Sequence, residues 1–105
     1  MKPKIKFSKN WNNKLNCEFF TTIRKFNKKK YDFYLKYYDV VFDVILKGKK
    51  ICEAKLVDIE KIKLSEITPA LLYIDTGQFH PLDVFKNFGI KSDDFVILLL
   101  FRRCD

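Results

Sequence analysis

The stretch Phe19-Phe20-Thr21-Thr22-Ile23-Arg24 has the composition of a β-strand and lies inside the most basic part of the chain. Branched and aromatic side chains favour extended backbone because they pack well on a pleated sheet. Successive side chains of a strand point to opposite faces, so Phe20, Thr22 and Arg24 share one face. If the other face is buried, the strand turns a ring, a hydroxyl and a guanidinium outward, groups that suit base and phosphate recognition. A solvent-facing strand with a surface arginine would show the same pattern.

Positive charge is concentrated in the first third of the chain. Residues 1–36 contain eleven Lys and Arg and two acidic residues, a net charge of +9, whereas residues 37–105 contain ten and eleven, a net charge of −1. Such an asymmetric field attracts polyanions, and phosphate backbones are the commonest of these in a cell. An AT-rich genome would also enrich lysine, but it does not explain the uneven placement. The charge therefore favours a nucleic acid or a nucleotide-like partner.

Length and composition limit the class of protein. The 105 residues predict a single domain, residues 1–105, and a hydrophobic content of 48% is well above that of a disordered chain. No apolar stretch approaches the ~20 residues that cross a bilayer, and no secretory signal is apparent, so we expect no membrane association. Cys17, Cys52 and Cys104 form no C-x-x-C pair, which indicates a reducing, cytoplasmic location. One histidine, His80, is too few for most zinc sites, so we expect neither a metal nor a cofactor.

The N-terminal third contains weaker local signals around its strand. Residues 11–15 predict one helical turn, with Trp11 and Leu15 on the same face at a spacing of four. Residues 27–30, Asn-Lys-Lys-Lys, predict a solvated turn. Residues 31–35 then either extend the strand or fill a loop.

The middle of the chain predicts a β-hairpin. Residues 38–47 alternate between an apolar face and a face that carries Asp39 and Asp43. The stretch Lys47-Gly48-Lys49-Lys50 is typical of a hairpin turn, and residues 51–58 return with a second alternating pattern.

The C-terminal half predicts two helices and a central strand. Thr68-Pro69 is a typical helix start, and Gly77 can end that helix in the left-handed conformation. A second helix is predicted from Pro81 to Gly89, burying its leucine and phenylalanines, with His80 as a cap or a surface residue. Phe95–Arg103 is apolar on both faces until its basic end, as in a central strand. Strands, then helices, then one strand predict an α+β fold, a small curved sheet or barrel flanked by helices.

The stretch Asp75-Thr76-Gly77 is a second candidate site at the end of the first predicted helix. Asp75 would accept hydrogen bonds from a base or ribose, beside Thr76 and backbone N–H groups. A helix C-cap followed by a turn is the alternative, although Asp75 would then lie at the negative end of the helix dipole. Two further basic residues join the candidate surface: Lys25 after Arg24, and Arg102 at the end of the last strand.

The order of these elements resembles the ASCH domains of the PUA-like superfamily, small β-barrels flanked by short helices beside an open cleft. The resemblance covers roughly residues 5–103. It rests on the following motifs in order: Thr22-Ile23-Arg24, a hairpin whose second strand includes residues 52–59, Leu64-Ser65-Glu66-Ile67, a helix, Asp75-Thr76-Gly77, a second helix, and Phe101-Arg102-Arg103.

The resemblance implies that Thr22 and Arg24 line a cleft, with Asp75 in the loop opposite, and it implies RNA or nucleotide binding. The amidohydrolase-like members also have a lysine a few residues before the T-I-R motif, which works with the threonine and a carboxylate. Here residues 16–20 contain no lysine, and Lys14 is the nearest upstream. The Gly-Asp that is usual before the hairpin is replaced by Tyr38-Asp39.

Three functions follow from these observations. The leading hypothesis is a non-catalytic domain that binds RNA or a nucleotide in a basic cleft beside Thr22-Ile23-Arg24. The alternative is a hydrolase acting on RNA or a modified nucleoside, with Thr22 as nucleophile or orienting group and Asp75 as general base. A third is a protein-interaction module of a mobile element or host regulator, which binds an acidic protein through the same basic face.

Overall fold

The computed structural model of the protein describes residues 2–78 and 81–104, and these residues form one five-stranded sheet with helices packed on both of its faces. The predicted role of His80 lies outside the described residues. None of the described helices is long and apolar enough to cross a membrane. In chain order the elements are β1 (Lys4–Phe7), a first 3₁₀ segment (Trp11–Asn16), β2 (Phe19–Lys25), α1 (Lys28–Lys36), β3 (Val41–Leu46), β4 (Lys49–Lys63), a second 3₁₀ segment (Leu64–Glu66), α2 (Pro69–Thr76), α3 (Pro81–Asn87) and β5 (Phe95–Arg103).

The sheet is a half-barrel with the strand order β1-β3-β4-β5-β2. β1 runs parallel to β3, and the other neighbouring strands are antiparallel. β5 lies between β4 and β2, which agrees with its apolar sequence on both faces. Register shifts between Leu56 and Asp58 and between Val44 and Ile45 bend the sheet. The α+β class is confirmed, but the barrel is open, because β1 and β2 are its two edges and are not paired with each other.

The hairpin between β3 and β4 has the predicted turn. Lys47 and Gly48 have φ values of 52° and 81°, the positive pair that a two-residue type I′ turn requires. The strands differ from the prediction at their outer ends: β3 begins at Val41, after a left-handed Asp39, and β4 continues to Lys63. The continuation pairs with β5 and lengthens the sheet.

Helix α1 occupies the segment for which a turn and an extended strand or loop were predicted, so that prediction was wrong. The Asn27 side chain accepts a hydrogen bond from the backbone N–H of Lys30 at 3.2 Å, which is the bond of a helix N-cap. Three residues apart on the same helical face, Tyr31 and Tyr34 pack against the interior of the half-barrel. Capping and this aromatic contact together offset the repulsion among the neighbouring lysines.

The two C-terminal helices begin and end largely where the sequence predicted. The Thr68 hydroxyl caps α2 by accepting from the backbone N–H of Leu71 at 3.4 Å, and Gly77 ends the helix at φ 69°. In α3, Phe85 is buried, but Leu82 in the helix and Phe88 just after it are exposed, contrary to the prediction. A helix of two turns contacts the core only through its middle, so the residues three positions on either side remain outside.

The apolar residues form two clusters, one inside the half-barrel and one between its outer face and α2 and α3. Phe20 lies in the inner cluster, 3% exposed, with its ring stacked on Phe101 at a centroid distance of 5.4 Å. Ile23 lies in the outer cluster, whereas Phe19 is 49% exposed. The prediction that Phe20 faces outward was wrong, because the sheet curls toward its face. Farther along the same face, Thr22 reaches the gap between the two edge strands.

Candidate functional site

Arg24 bridges the gap between the two edge strands with its side chain. Its Nη2 donates to the backbone carbonyl of Lys6 on β1 at 2.9 Å, and its Nε donates to Thr22 Oγ1 at 3.0 Å. The guanidinium carbon lies 4.8 Å from the ring centroid of Phe7, within range of a cation–π contact. These contacts fix the guanidinium plane at the open side of the half-barrel.

A cavity of about 250 Å³ lies beside this bridge, bounded by β1, the first 3₁₀ segment, β2, the end of α2, and α3. We call it the cationic cleft. Among the described residues, it is lined by one carboxylate, Asp75, and by five cationic side chains, those of Lys6, Lys9, Lys14, Arg24 and Lys25. Four aromatic side chains also line it, those of Phe7, Trp11, Phe85 and Phe88. The cleft therefore combines excess positive charge with ring surfaces.

A buried ion pair forms one wall of the cationic cleft. Lys14 Nζ lies 2.9 Å from Asp75 Oδ1, and the side chains are 7% and 6% exposed. The Thr21 hydroxyl donates to the same oxygen at 2.8 Å. Because Lys14 neutralises the only carboxylate among the described lining residues, the remaining cations determine the sign of the potential in the cleft.

The first 3₁₀ segment carries Lys14 into this position. Asn12 and Asn13 have φ values of 54° and 55°, a left-handed conformation that asparagine tolerates better than most residues. The Asn12 amide donates to the carbonyl of Ile74 at 3.1 Å and so fastens the segment to α2. A Cβ on Gly77 would lie 2.9 Å from the Asn12 Cβ, so only glycine fits there without a shift. The segment and the end of α2 thus hold Lys14 and Asp75 together.

Burial changes the protonation of the cationic groups. Loss of hydration lowers the pKa of Lys14, and the nearby charge of Arg24 lowers it further, whereas the charge and hydrogen bond of Asp75 oppose the change. Burial likewise lowers the pKa of Arg24, whereas its electrostatic interactions with Tyr34 and Asp75 raise the pKa. Burial raises the pKa of Tyr34, which Arg24 opposes. Burial therefore favours the neutral form of Lys14, and the ion pair with Asp75 favours the charged form.

The structure brings together most of the residues that the sequence singled out. Thr22, Arg24, Lys25, Asp75 and Thr76 all line the cationic cleft. The Thr76 hydroxyl is engaged with its own helix, since it donates to the carbonyl of Leu72 at 2.9 Å and accepts from the N–H of Gln78 at 3.2 Å.

Two of the candidate residues lie elsewhere. Phe20 belongs to the inner cluster and offers no ring to a ligand, because its ring is buried and stacked on Phe101. Arg102 lies opposite Phe19 in the β2–β5 register, at the other end of β2 from Arg24. Its Nη2 lies 3.5 Å from Glu18 Oε1, and the residue does not line the cleft. Its position follows from the antiparallel register, which places the end of β5 beside the start of β2.

Among the lining residues that sequence reasoning did not assign to the site, Lys14, Trp11 and Phe88 matter most for its chemistry. Lys14 was noted only as the nearest upstream lysine, and no local pattern distinguishes it from the other lysines of the first third. Trp11 was interpreted as an apolar anchor of a helical turn, and Phe88 as a buried residue. For Phe88 the useful signal would have been the shortness of the helix, because a helix of two turns cannot bury every apolar residue in and beside it.

The arrangement is suited to an anionic ligand that contains a ring. Cations and aromatic faces attract phosphate and base, respectively. Among the described residues, no group of three His, Cys, Asp or Glu side chains could hold a metal ion.

The fold and the site define an α+β half-barrel with a cationic cleft at its open side. Its fold is similar to that of an ASCH domain from Lactobacillus crispatus JV V101, known from a high-resolution crystal structure, with a TM-score of 0.62 and 16% sequence identity. The match covers 88% of this chain and 68% of that chain. No model of a known protein family and no curated protein matches the sequence. The chain therefore has an ASCH-like fold, as its sequence motifs predicted.

Proposed function

We propose that this protein is a non-catalytic domain that binds RNA or a nucleotide in the cationic cleft. The observation that carries the proposal is the composition of the cavity: among the described lining residues, five cations and four aromatic rings surround about 250 Å³, and one of the cations, Lys14, neutralises the one carboxylate. The ASCH-like fold supports it, because RNA or nucleotide binding is what the resemblance to that family implies.

The bonds of Arg24 leave it able to contact a ligand. A guanidinium has five N–H donors, and Arg24 uses one toward Thr22 and one toward the carbonyl of Lys6. The Thr22 oxygen accepts the Arg24 hydrogen bond, so its own hydrogen can be donated to a phosphate or a base. Lys9 and Lys25 are exposed at the rim, where they would attract phosphate in a salt-dependent way.

Labelled single-stranded and structured RNA, titrated at two salt concentrations, test the proposal. We expect binding that weakens as salt rises, and an Arg24→Ala variant that binds roughly 10-fold or more weakly, since a hydrogen bond to a charged group is worth about 1.5–3 kcal/mol. Lys49→Ala is the matched control, because Lys49 lies in β4 beside the hairpin turn and outside the cleft. Thermal unfolding confirms that both variants are folded. No binding even at low salt would reject the proposal.

The position of Lys14 favours a second candidate, a hydrolase acting on RNA or a modified nucleoside. Although the sequence lacks a lysine just before Thr22, the fold places the Lys14 ammonium beside Asp75 in the same cavity as the Thr22 hydroxyl. Thr22 would act as nucleophile or orienting group and Asp75 as general base. Hydrolysis of an N-acylated nucleoside would consume one water and release the amine and a carboxylate.

A panel of acylated nucleosides and RNA substrates separates the two functions. The hydrolase requires turnover that Asp75→Asn abolishes and that Thr22→Val abolishes while Thr22→Ser retains part of it. RNA or nucleotide binding without turnover of any substrate in the panel would favour the binding domain.

A further inference from the structure

Two aromatic side chains meet at the mouth of the cationic cleft. The ring centroids of Trp11 and Phe88 lie 6.4 Å apart with planes at 81°, and Phe88 is 59% exposed. Lys9 Nζ lies 4.3 Å from the centroid of the Trp11 ring. Phe85, three residues before Phe88 and within α3, is buried in the outer cluster. The mouth therefore differs from the floor of the cleft in presenting ring surface to solvent.

Core packing does not explain this pair. Phe88 lies just after α3 and is outside both apolar clusters, so its ring contributes little to folding. Large exposed rings beside cations are instead typical of surfaces that bind single-stranded nucleic acid, on which bases stack regardless of sequence.

We propose that Trp11 and Phe88 form a second base-binding subsite, next to the base or phosphate held inside the cationic cleft. This inference rests on the proposed binding function and narrows the ligand to a single-stranded oligonucleotide of at least two nucleotides, in preference to a free mononucleotide. A base that stacks on the indole takes the place of the Lys9 ammonium, which then turns to the phosphate that joins the two nucleotides.

The physical basis is the continuity of charge and ring surface across the mouth. Lys9, Trp11 and Phe88 line the same cavity as Arg24. An oligonucleotide that places one base inside the cationic cleft can therefore extend over the rim and remain in a region of positive potential. Stacking of one base contributes roughly 5- to 100-fold in affinity.

Trp11 is the only tryptophan of the protein, so its emission reports directly on this subsite. The experiment compares a nucleoside monophosphate, a dinucleotide and a hexanucleotide of single-stranded RNA, with tryptophan quenching and calorimetry as readouts. We expect the dinucleotide and hexanucleotide to bind more tightly than the monophosphate and to quench Trp11. Phe88→Ala should weaken hexanucleotide binding roughly 5- to 100-fold and weaken monophosphate binding much less, because only the longer ligand reaches the mouth.

Phe95→Ala is the matched control, because Phe95 is 43% exposed on β5 and does not line the cleft. Trp11→Phe keeps a ring and should retain most of the affinity, whereas Trp11→Ala should not. The same experiment uses single-stranded DNA of the same sequence. If the DNA quenches Trp11 to the same degree and is equally sensitive to Phe88→Ala, the subsite binds single strands in general.

The outcomes separate the inference from the proposed function. If the monophosphate and hexanucleotide bind equally and Phe88→Ala changes neither, the subsite is overturned while the binding function stands. If Arg24→Ala abolishes hexanucleotide binding and Phe88→Ala and Trp11→Ala have no effect, the subsite is also overturned. If no nucleotide or RNA binds even at low salt, the proposed function itself fails.

Discussion

Replacing Asp75 with asparagine should lower the free energy of unfolding far more than a surface substitution of the same size does. Asparagine has nearly the shape of aspartate, and its carbonyl oxygen can still accept the Thr21 hydrogen bond. The substitution therefore removes mainly the negative charge that faces Lys14. It leaves an ammonium on a side chain that is 7% exposed, and none of the other described carboxylates forms an ion pair with it.

The burial of the pair sets the magnitude of the loss. Removing one partner of a buried ion pair costs about 3–5 kcal/mol, because the remaining charge is uncompensated. A domain of this size is stable by only about 5–15 kcal/mol, so a large share of its stability depends on this contact. At about 5 °C per kcal/mol, the melting temperature should fall by roughly 15–25 °C.

A double-mutant cycle measured by urea unfolding at pH 7 gives the required control. Lys14→Met alone leaves the Asp75 carboxylate buried and should destabilise to a similar degree. The double variant contains neither charge and should be more stable than the two single losses predict, by about 2 kcal/mol or more. If each single variant loses less than about 1 kcal/mol of stability and the two losses are additive, the pair behaves as a solvated surface ion pair. That result would refute the reasoning.

Three further predictions follow from local features. Gly77→Ala should destabilise the protein by more than the ~1–2 kcal/mol that a left-handed alanine costs, because its Cβ would meet the Asn12 side chain at 2.9 Å. Gly48→Ala is the control: Gly48 has φ 81° and no atom within 4 Å of an added Cβ, so this variant should lose only the free energy of the left-handed backbone. Equal losses of the two variants in urea unfolding would contradict this. RNA affinity should fall as pH rises above neutral, because burial lowers the pKa of Lys14 and its deprotonation leaves the negative charge of Asp75 unbalanced in the cleft. Lys14→Arg should shift this fall in affinity to higher pH. Identical dependence of affinity on pH in the two proteins would argue against the prediction. Phe20→Ala should lose about 3–5 kcal/mol of stability by removing a ring from the inner cluster, and equal thermal stability of this variant and the wild type would count against that packing.

The elements that the sequence predicted correctly are those with local determinants. The turn at Lys47 and Gly48 follows from a glycine, which adopts positive φ without steric cost, between two alternating strand patterns. Helix α2 follows from Thr68 before Pro69 and from Gly77 after its last turn. Each signal lies within a few residues of the structure that it specifies, so no tertiary information was needed.

The errors occur where distant parts of the chain decide. Which face of β2 becomes concave depends on the register shifts along β4, so the strand alone could not show that Phe20 is buried. The N-cap at Asn27 was overlooked because the lysine run after it resembled a solvated turn.

The site was predictable only in part, for the same reason. Alternation along β2 placed Thr22 and Arg24 on one face, and the helix end placed Asp75 near a loop. The partner of Asp75 is 61 residues away, and nothing near Lys14 in the sequence marks it. The lysine expected close to Thr22 comes instead from a separate 3₁₀ segment that folds against α2.

The binding of single-stranded RNA to the cationic cleft is tested most directly by nuclear magnetic resonance, with backbone amide shifts followed as RNA is added. The proposed function predicts that the largest changes occur in residues 6–9, 22–25 and 75–76, which line the cleft. The exposed lysines of α1 lie outside it and offer a competing basic surface. Changes confined to residues 28–36, or no changes at low salt, would contradict the proposal.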